Sequence, residues 1–501
     1  MSVSVTNSVD SYSPARRLAP LCAGAGAYLL LLFSGDMLLQ DSDTFWQIKV
    51  GQWIIDHHAV PYSDFYSLIR FGTPWISNAW LSQVLYAAAY SHWGWAGPVI
   101  LTSLAAATAV AIFVWLLDAY LEPAHSILMA MLALMLSWHH LLARPHVLAL
   151  PVMVAWVGAM ISAADRRAYP SFFLLPLIAL WANLHGGFVL GLALIAPIAL
   201  EAVWSAAPER RIVLGARWTI FAVGALAASC CTPYGWNTLL AAARILDLGE
   251  VLSVISEWRP TDFSSFGFFE VCLLGLMGLA FHRGAVLSFP RIVLLLLLVH
   301  AALTHVRNIE SFAFLVPLVL AKPLASRGKP TDVVTQRAGE LWSLPYIPSL
   351  TMVVIAAGVW TSTLSYTAHH DFVFVNSQTP ASAVEVLKQH QAKRVFNSYE
   401  FGGYLIARDI PPFIDGRAEL YGEKFVLDYF NAVEGRKVDQ LLRLLEDSQI
   451  DATLLVPASP AAQLLDHLPG WKRLYADDTA VIHVRADRTQ MNAAPTSEIP
   501  N

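Results

Sequence analysis

Long apolar runs separated by short polar stretches fill the first 370 or so residues. Runs approaching the ~20 residues needed to cross hydrocarbon recur along the chain. They fall at roughly 18–39, 96–118, 122–140, 145–164, 170–183, 187–205, 212–232, 264–282, 289–304, 308–322 and 348–367, which predicts about eleven membrane helices. The run from Leu18 to about Leu39 follows Arg16-Arg17, as a signal peptide would. No clean small-residue cleavage site follows it and further apolar segments do, so it reads as an uncleaved first helix. From residue 370 the pattern turns polar. Short β-like runs appear at Arg394–Ser398, Tyr404–Ala407, Pro412–Ile414, Ala452–Val456 and Ala480–Val484, with helical runs between them at Ser382–His390 and Lys437–Asp447. The expected organisation is a polytopic α-helical membrane region over 1–369, a small C-terminal α/β domain over 370–486, and a disordered tail over 487–501.

Lysine and arginine placement predicts the orientation. With a cytoplasmic N-terminus, the inner loops hold Arg16-Arg17, Arg166-Arg167, Arg210-Arg211, Arg283, and the segment with Lys322, Arg327, Lys329 and Arg337. An odd number of spans then places the C-terminal domain outside, as in a multi-pass plasma-membrane protein. Composition agrees. Only 14% of the 501 residues are charged and mean hydropathy is +0.52, against about 25% charged residues in soluble proteins. The net charge of −5 points to no nucleic-acid partner. Cys22, Cys230, Cys231 and Cys272 all lie in apolar stretches, which argues against a disulfide framework or a zinc site.

The first outer loop, 40–95, is the most informative stretch. It opens Asp41-Ser42-Asp43-Thr44-Phe45-Trp46. Asp43 is placed to N-cap a helix running to about Asp56. A second such element follows Trp75-Ile76-Ser77-Asn78-Ala79-Trp80. Both are too short and polar to span, and both read as amphipathic helices lying in the interface. An isolated Asp-x-Asp is more readily a cap and a solvated acid. Here the pair ends a first membrane helix, where a lipid-linked substrate would meet water. Further polar residues gather at the same ends of their helices: Arg144 and His146; Asn183, His185 and Gly186-Gly187; Glu257-Trp258-Arg259; His305, Arg307, Asn308 and Glu310. Ionisable groups near membrane depth are costly and usually face a cavity or a partner. Together they predict a polar cavity opening outward.

At Asp41-Ser42-Asp43 with Phe45-Trp46, the chain resembles the GT-C superfamily of membrane glycosyltransferases. The likeness is to a bacterial branch near the dolichyl-phosphate-mannose mannosyltransferase and RgtA/B/C/D-like group. Gly51-Gln52-Trp53-Ile54 leading to Pro61 and Asp64, Gly72-x-Pro74-Trp75 with Trp80-Leu81, Trp181-x-Asn183-x-His185-Gly186, Glu257-Trp258, Gly402-Gly403-Tyr404-Leu405 and Asp415-Gly416-Arg417 extend it along the chain. The first loop carries Asp-x-Asp where better-known members carry Asp-Glu. Ser77-Asn78-Ala79-Trp80 stands in place of their His-Pro-Pro-Leu. The resemblance implies a GT-C-like fold and an inverting transfer of sugar from a polyprenyl-phosphate donor to a glycan, lipid or protein acceptor, at the outer face of a bacterial inner membrane.

On that resemblance Asp43 is the expected base and Asp41 its assistant. The two acids are also candidates to hold a divalent cation, Mg or Mn, through hard carboxylate oxygens. Arg144 and Arg307 are candidates for the donor phosphate, and His146, His185 and Glu257 for sugar or acceptor contacts. Gly402-Gly403 reads as a tight turn. Asp415-Gly416-Arg417 reads equally as a turn with a local ion pair. The rival expectations are a non-catalytic envelope scaffold that binds glycan and a transporter of lipid-linked glycan. No internal repeat supports the transporter.

Overall fold

The structure, a computed structural model, describes residues 14–246, 249–325, 349–374 and 379–486. Each of the eleven apolar runs falls on a helix: α1 Pro14–Phe33, α4 Ala96–Leu117, α5 Pro123–Ser137, α6 Pro145–Asp165, α7 Leu175–Leu184, the broken pair α8 Phe188–Ala193 and α9 Ile195–Trp204, α10 Pro208–Ser229, α12 Phe268–Arg283, α13 Phe289–Thr304, α14 Ile309–Ala325 and α15 Ser349–His369. Between them lie α2 Asp43–His57, α3 Trp80–Trp93 and α11 Asn237–Leu246. Among the described residues, five helices are long and apolar enough to cross a membrane. Their outer faces carry Ile212, Val213, Val223, Leu350, Val353 and Trp360 in the open. An apolar surface this extensive needs lipid rather than water against it. The segment Phe172–Leu184 is shorter than the others. At 1.5 Å per residue it covers roughly 20 Å, less than the hydrocarbon thickness, so the turn at His185–Gly187 falls within the bundle.

Helix α6 is the central post. Its apolar window is 89% buried, and Trp156 on it donates its indole N–H to the Gly191 carbonyl at the α8 face (3.0 Å). At the far end of α6 from the first loop, Asp165 meets Arg291 (2.6 Å), which also meets Glu201 (2.6 Å). Tyr120 donates to Asp165, and Lys322 donates to its carbonyl. This ionic knot ties α6, α9, α13 and α14 together at one end of the bundle. The sequence reading did not single out Arg291, Asp165 or Glu201. The expected loop residues Arg327, Lys329 and Arg337, and the expected tail 487–501, lie outside the described residues.

The C-terminal unit holds a four-stranded sheet in the order β1-β2-β4-β3. Its strands are β1 Val395–Asn397, β2 Ala452–Leu455, β3 Trp471–Ala476 and β4 Val481–Arg485. β1 and β2 are parallel; β4 is antiparallel to both β2 and β3. Helices α16 Ala381–Gln389, α17 Gly402–Ala407, α18 Glu423–Val433 and α19 Val438–Asp447 pack around it. Two of the five expected strands are corrected. Tyr404–Ala407 is the helix α17, because a four-residue apolar run has no period to distinguish helix from strand. Pro412–Ile414 makes only one bridge, Val395 to Pro412, since proline cannot donate to a ladder.

This unit sits on the first loop and changes the character of that loop. α2 and α3 pack against each other, with Gln83 donating to Gln47 (2.7 Å), and α17 covers α2. A β-carbon at Gly403 would overlap the Ser42 carbonyl, so that glycine serves close approach rather than a turn. Trp46, Val50, Ile54, Trp75 and Ile406 form one cluster beneath it. Of the six tryptophans from Trp46 to Trp95, only Trp93 is exposed. Trp46 and Trp75 are buried, and Trp53, Trp80 and Trp95 are half-buried.

Candidate functional site

Local sequence sets the position of each site residue. Arg144 precedes Pro145, which forces it into extended backbone and starts α6 immediately after it. Its carbonyl accepts from Tyr86 (3.1 Å), and its neighbour Ala143 bonds to Leu38 and Thr44. The Arg144 guanidinium is thereby held above the start of α2. There it meets Asp43 Oδ2 (2.6 Å), Asp41 Oδ2 (3.0 Å) and Glu257. The expected cap is revised in one respect. Asp43 is the first residue of α2, and it is the Asp41 carboxylate that accepts its backbone N–H (2.8 Å). Trp46, one turn on, donates its indole N–H to Asp43 Oδ1 (2.9 Å).

Three carboxylates around one guanidinium cannot all be equally satisfied. Burial, then the Asp41 charge, push Asp43 up to about 7, against the pull of Arg144 and the Trp46 indole. Burial also raises Glu257, but Arg144 and then Arg307 outweigh it and hold that acid at about 2. The cluster thus separates a permanently charged acid from one that exchanges its proton near neutrality. The Asp41 and Asp43 oxygens that would grip a dication face Arg144 instead. With a guanidinium in that position the donor set does not fit a divalent cation.

Beside the cluster lies a cavity of about 580 Å³. Arg144, His146, His185, Glu257, Trp258, His305, Arg307, Asn308 and Glu310 line it, together with Trp75, Asn78 and Glu419. Asp41 and Asp43 pair with the Arg144 guanidinium, part-buried, and are not among the residues that line the cavity. His185 takes the Gly187 N–H on Nδ1 (3.1 Å), which leaves its proton on Nε2. With Nδ1 accepting, the ring is a neutral donor through Nε2. His146 donates Nε2–H to the His140 carbonyl (2.7 Å). Arg307 differs from Arg144. Its guanidinium lies over the Trp258 ring, 4.2 Å from the centroid, and among the described residues no carboxylate is within ion-pair distance of it.

The structure therefore brings together Asp41, Asp43, Arg144 and Glu257 by direct contact, and His146, His185 and Arg307 around the adjoining cavity. The tryptophan and asparagine phrases also meet: Trp80 donates to Asn183 (2.8 Å), and Tyr234 braces the loop through Pro61 (2.9 Å). Sequence reasoning missed Glu419, which accepts from Trp75 (3.3 Å) and brings the C-terminal unit into the cavity wall. It also missed what Gly416 does. A β-carbon there would collide with the Asp43 carboxylate. The Gly416→Ala variant should displace the Asp43 carboxylate, weaken its pairing with Arg144 and lower the melting temperature. Thermal melting in detergent would check this, and an unchanged midpoint would separate Gly416 from the cluster.

No protein-family model matches the chain, and no curated protein matches it. Among solved structures, it is similar to the archaeal oligosaccharyltransferase AglB from Archaeoglobus fulgidus in complex with an inhibitory peptide and a dolichol-phosphate. Identity is 10% over 96% of this chain and 75% of that one, with a TM-score of 0.49. It is also similar to the Archaeoglobus fulgidus oligosaccharyltransferase tethered by a disulfide to an acceptor peptide containing the NVT sequon. There identity is 10% over 87% of this chain and 69% of that one, with a TM-score of 0.49. A likeness at this level assigns neither substrate nor activity.

Proposed function

We propose that this membrane protein is a glycosyltransferase of GT-C type that moves a sugar from a polyprenyl-phosphate donor to an extracytoplasmic acceptor, with inversion. Its catalytic end and C-terminal unit (370–486) lie outside the membrane, and its basic loops lie within the cytoplasm. What supports it is one juxtaposition: Arg307, fixed on Trp258 with no carboxylate at ion-pair distance among the described residues, lines one cavity with Arg144 and Glu257, whose cluster partner Asp43 exchanges a proton near pH 7. Asp43 takes the proton of the acceptor hydroxyl. That oxygen attacks the anomeric carbon, and the bond to the phosphate oxygen breaks on the opposite face. The phosphate leaves with the electron pair, and Arg307 neutralises it. Arg144, saturated by Asp41, Asp43 and Glu257, orders the acids and is a secondary phosphate contact. His146 and His185 contact the sugar or the acceptor.

The test is sugar release or transfer by purified protein from a panel of polyprenyl-phosphate sugars. Donor-dependent release is expected. Arg307→Gln should lower kcat/KM by about 100- to 1,000-fold, the cost of losing one charge-stabilising group. Absence of release from every donor, or normal turnover by Arg307→Gln, would overturn the assignment.

A further inference from the structure

Glu310 is not used in the chemistry above, yet it is costly where it stands. It lies in the first turn of α14, is 8% exposed, and lines the cavity. Its Oε1 has no hydrogen-bond partner. Asn78, from the loop before α3, lines the same cavity, and its side-chain oxygen is likewise buried without a partner. An orphaned buried acceptor is destabilising. Two on residues that line one cavity call for a ligand with several hydrogen-bonding groups, as a sugar has.

The spacing says where that ligand lies. Glu310 follows Arg307 by three residues across a continuous helical segment, Val306–Ala325. That is about one turn, roughly 5 Å along the axis. A hexose or pentose ring joined to a phosphate at Arg307 presents its hydroxyls at that distance from the phosphate. We propose that Glu310 and Asn78 form a sugar-recognition subsite, one turn deeper than the phosphate, which hydrogen-bonds the hydroxyls of the donor sugar. The proposal rests on the donor reading above. It adds that the sugar is read from inside the bundle, through its hydroxyls.

Binding to the full-length protein in nanodiscs tests this. The probes are undecaprenyl phosphate alone and undecaprenyl phosphate carrying glucose, mannose, arabinose or glucuronate. At least one sugar lipid should bind the wild type about 10- to 100-fold more tightly than the bare phosphate lipid. In Glu310→Leu that gain should vanish, and in Glu310→Gln most of it should, with bare undecaprenyl phosphate bound as before. Ligand-free Glu310→Leu should melt no lower than wild type, since it removes an unpaired buried group. A melting temperature that falls would make Glu310 structural and overturn the proposal. So would a sugar gain that survives in Glu310→Leu. If undecaprenyl phosphate itself does not bind wild type, the transferase reading fails with it; if it does bind and the sugar gain ignores Glu310, only the subsite fails.

Discussion

The Asp43→Asn variant should lose transfer by about 100- to 10,000-fold, the range expected for removing a general base. Asparagine keeps the size of the side chain and an oxygen to accept from Trp46, so α2 and its packing should persist. Donor binding should also persist, because it depends on Arg307 rather than on the acid cluster. The loss should therefore appear in kcat with little change in KM. The wild-type pH profile carries the same signature. Asp43 titrates at about 7 because burial and Asp41 outweigh Arg144. The base is the ionised form, so activity should fall as pH drops through 7, about tenfold per unit below it, and level off above. Replacing Arg144 by Gln removes the main stabiliser of the charged form and should move that limb to higher pH. A rate in Asp43→Asn near wild type, or a profile flat across pH 6–8, would remove Asp43 from the proton transfer.

Much of this was legible from the chain, for identifiable reasons. Helix positions follow from uninterrupted apolar runs, which few alternatives fit in lipid. Asp43, Arg144, Glu257 and Arg307 could be selected because each breaks such a run at the same end of its helix. What sequence could not supply is which charge meets which. Arg144 and Arg307 look equivalent on paper. One is encircled by carboxylates and the other is open, and only the fold decides between them. The knot of Asp165, Arg291 and Glu201 escaped notice because its members are remote in sequence and each passes locally for a snorkelling side chain. The glycines at 403 and 416 look like turn formers. Their neighbours, Ser42 and Asp43, lie hundreds of positions away, so no local pattern could reveal a close approach.

The second large effect should come from Arg417, which joins the C-terminal unit to the first loop. Its guanidinium is 1% exposed and pairs with Asp64 of that loop (2.6 Å) and with Asp415 (2.7 Å), both acids fully buried. Trp75 lies against its face, 4.9 Å from the centroid, and Tyr421 donates to Asp415 (2.7 Å). Asp415-Gly416-Arg417 is thus a local ion pair, as one sequence reading held, and at the same time a bond between distant parts of the chain. Arg417→Leu would leave two buried carboxylates without a counter-ion, at a cost of about 3–5 kcal/mol. The expected result is earlier melting and faster hydrogen exchange over 381–485 and 60–76, with transfer falling in parallel because Gly416 no longer backs Asp43. The variant Asp64→Leu/Asp415→Leu/Arg417→Leu should regain most of the lost stability, since apolar replacement of a whole buried ion cluster is often neutral or better. It should not regain activity if Asp43 needs the ionic lock to stay in register. Wild-type melting by Arg417→Leu would mean that apolar contacts alone hold the unit down, and the ionic lock would lose its role.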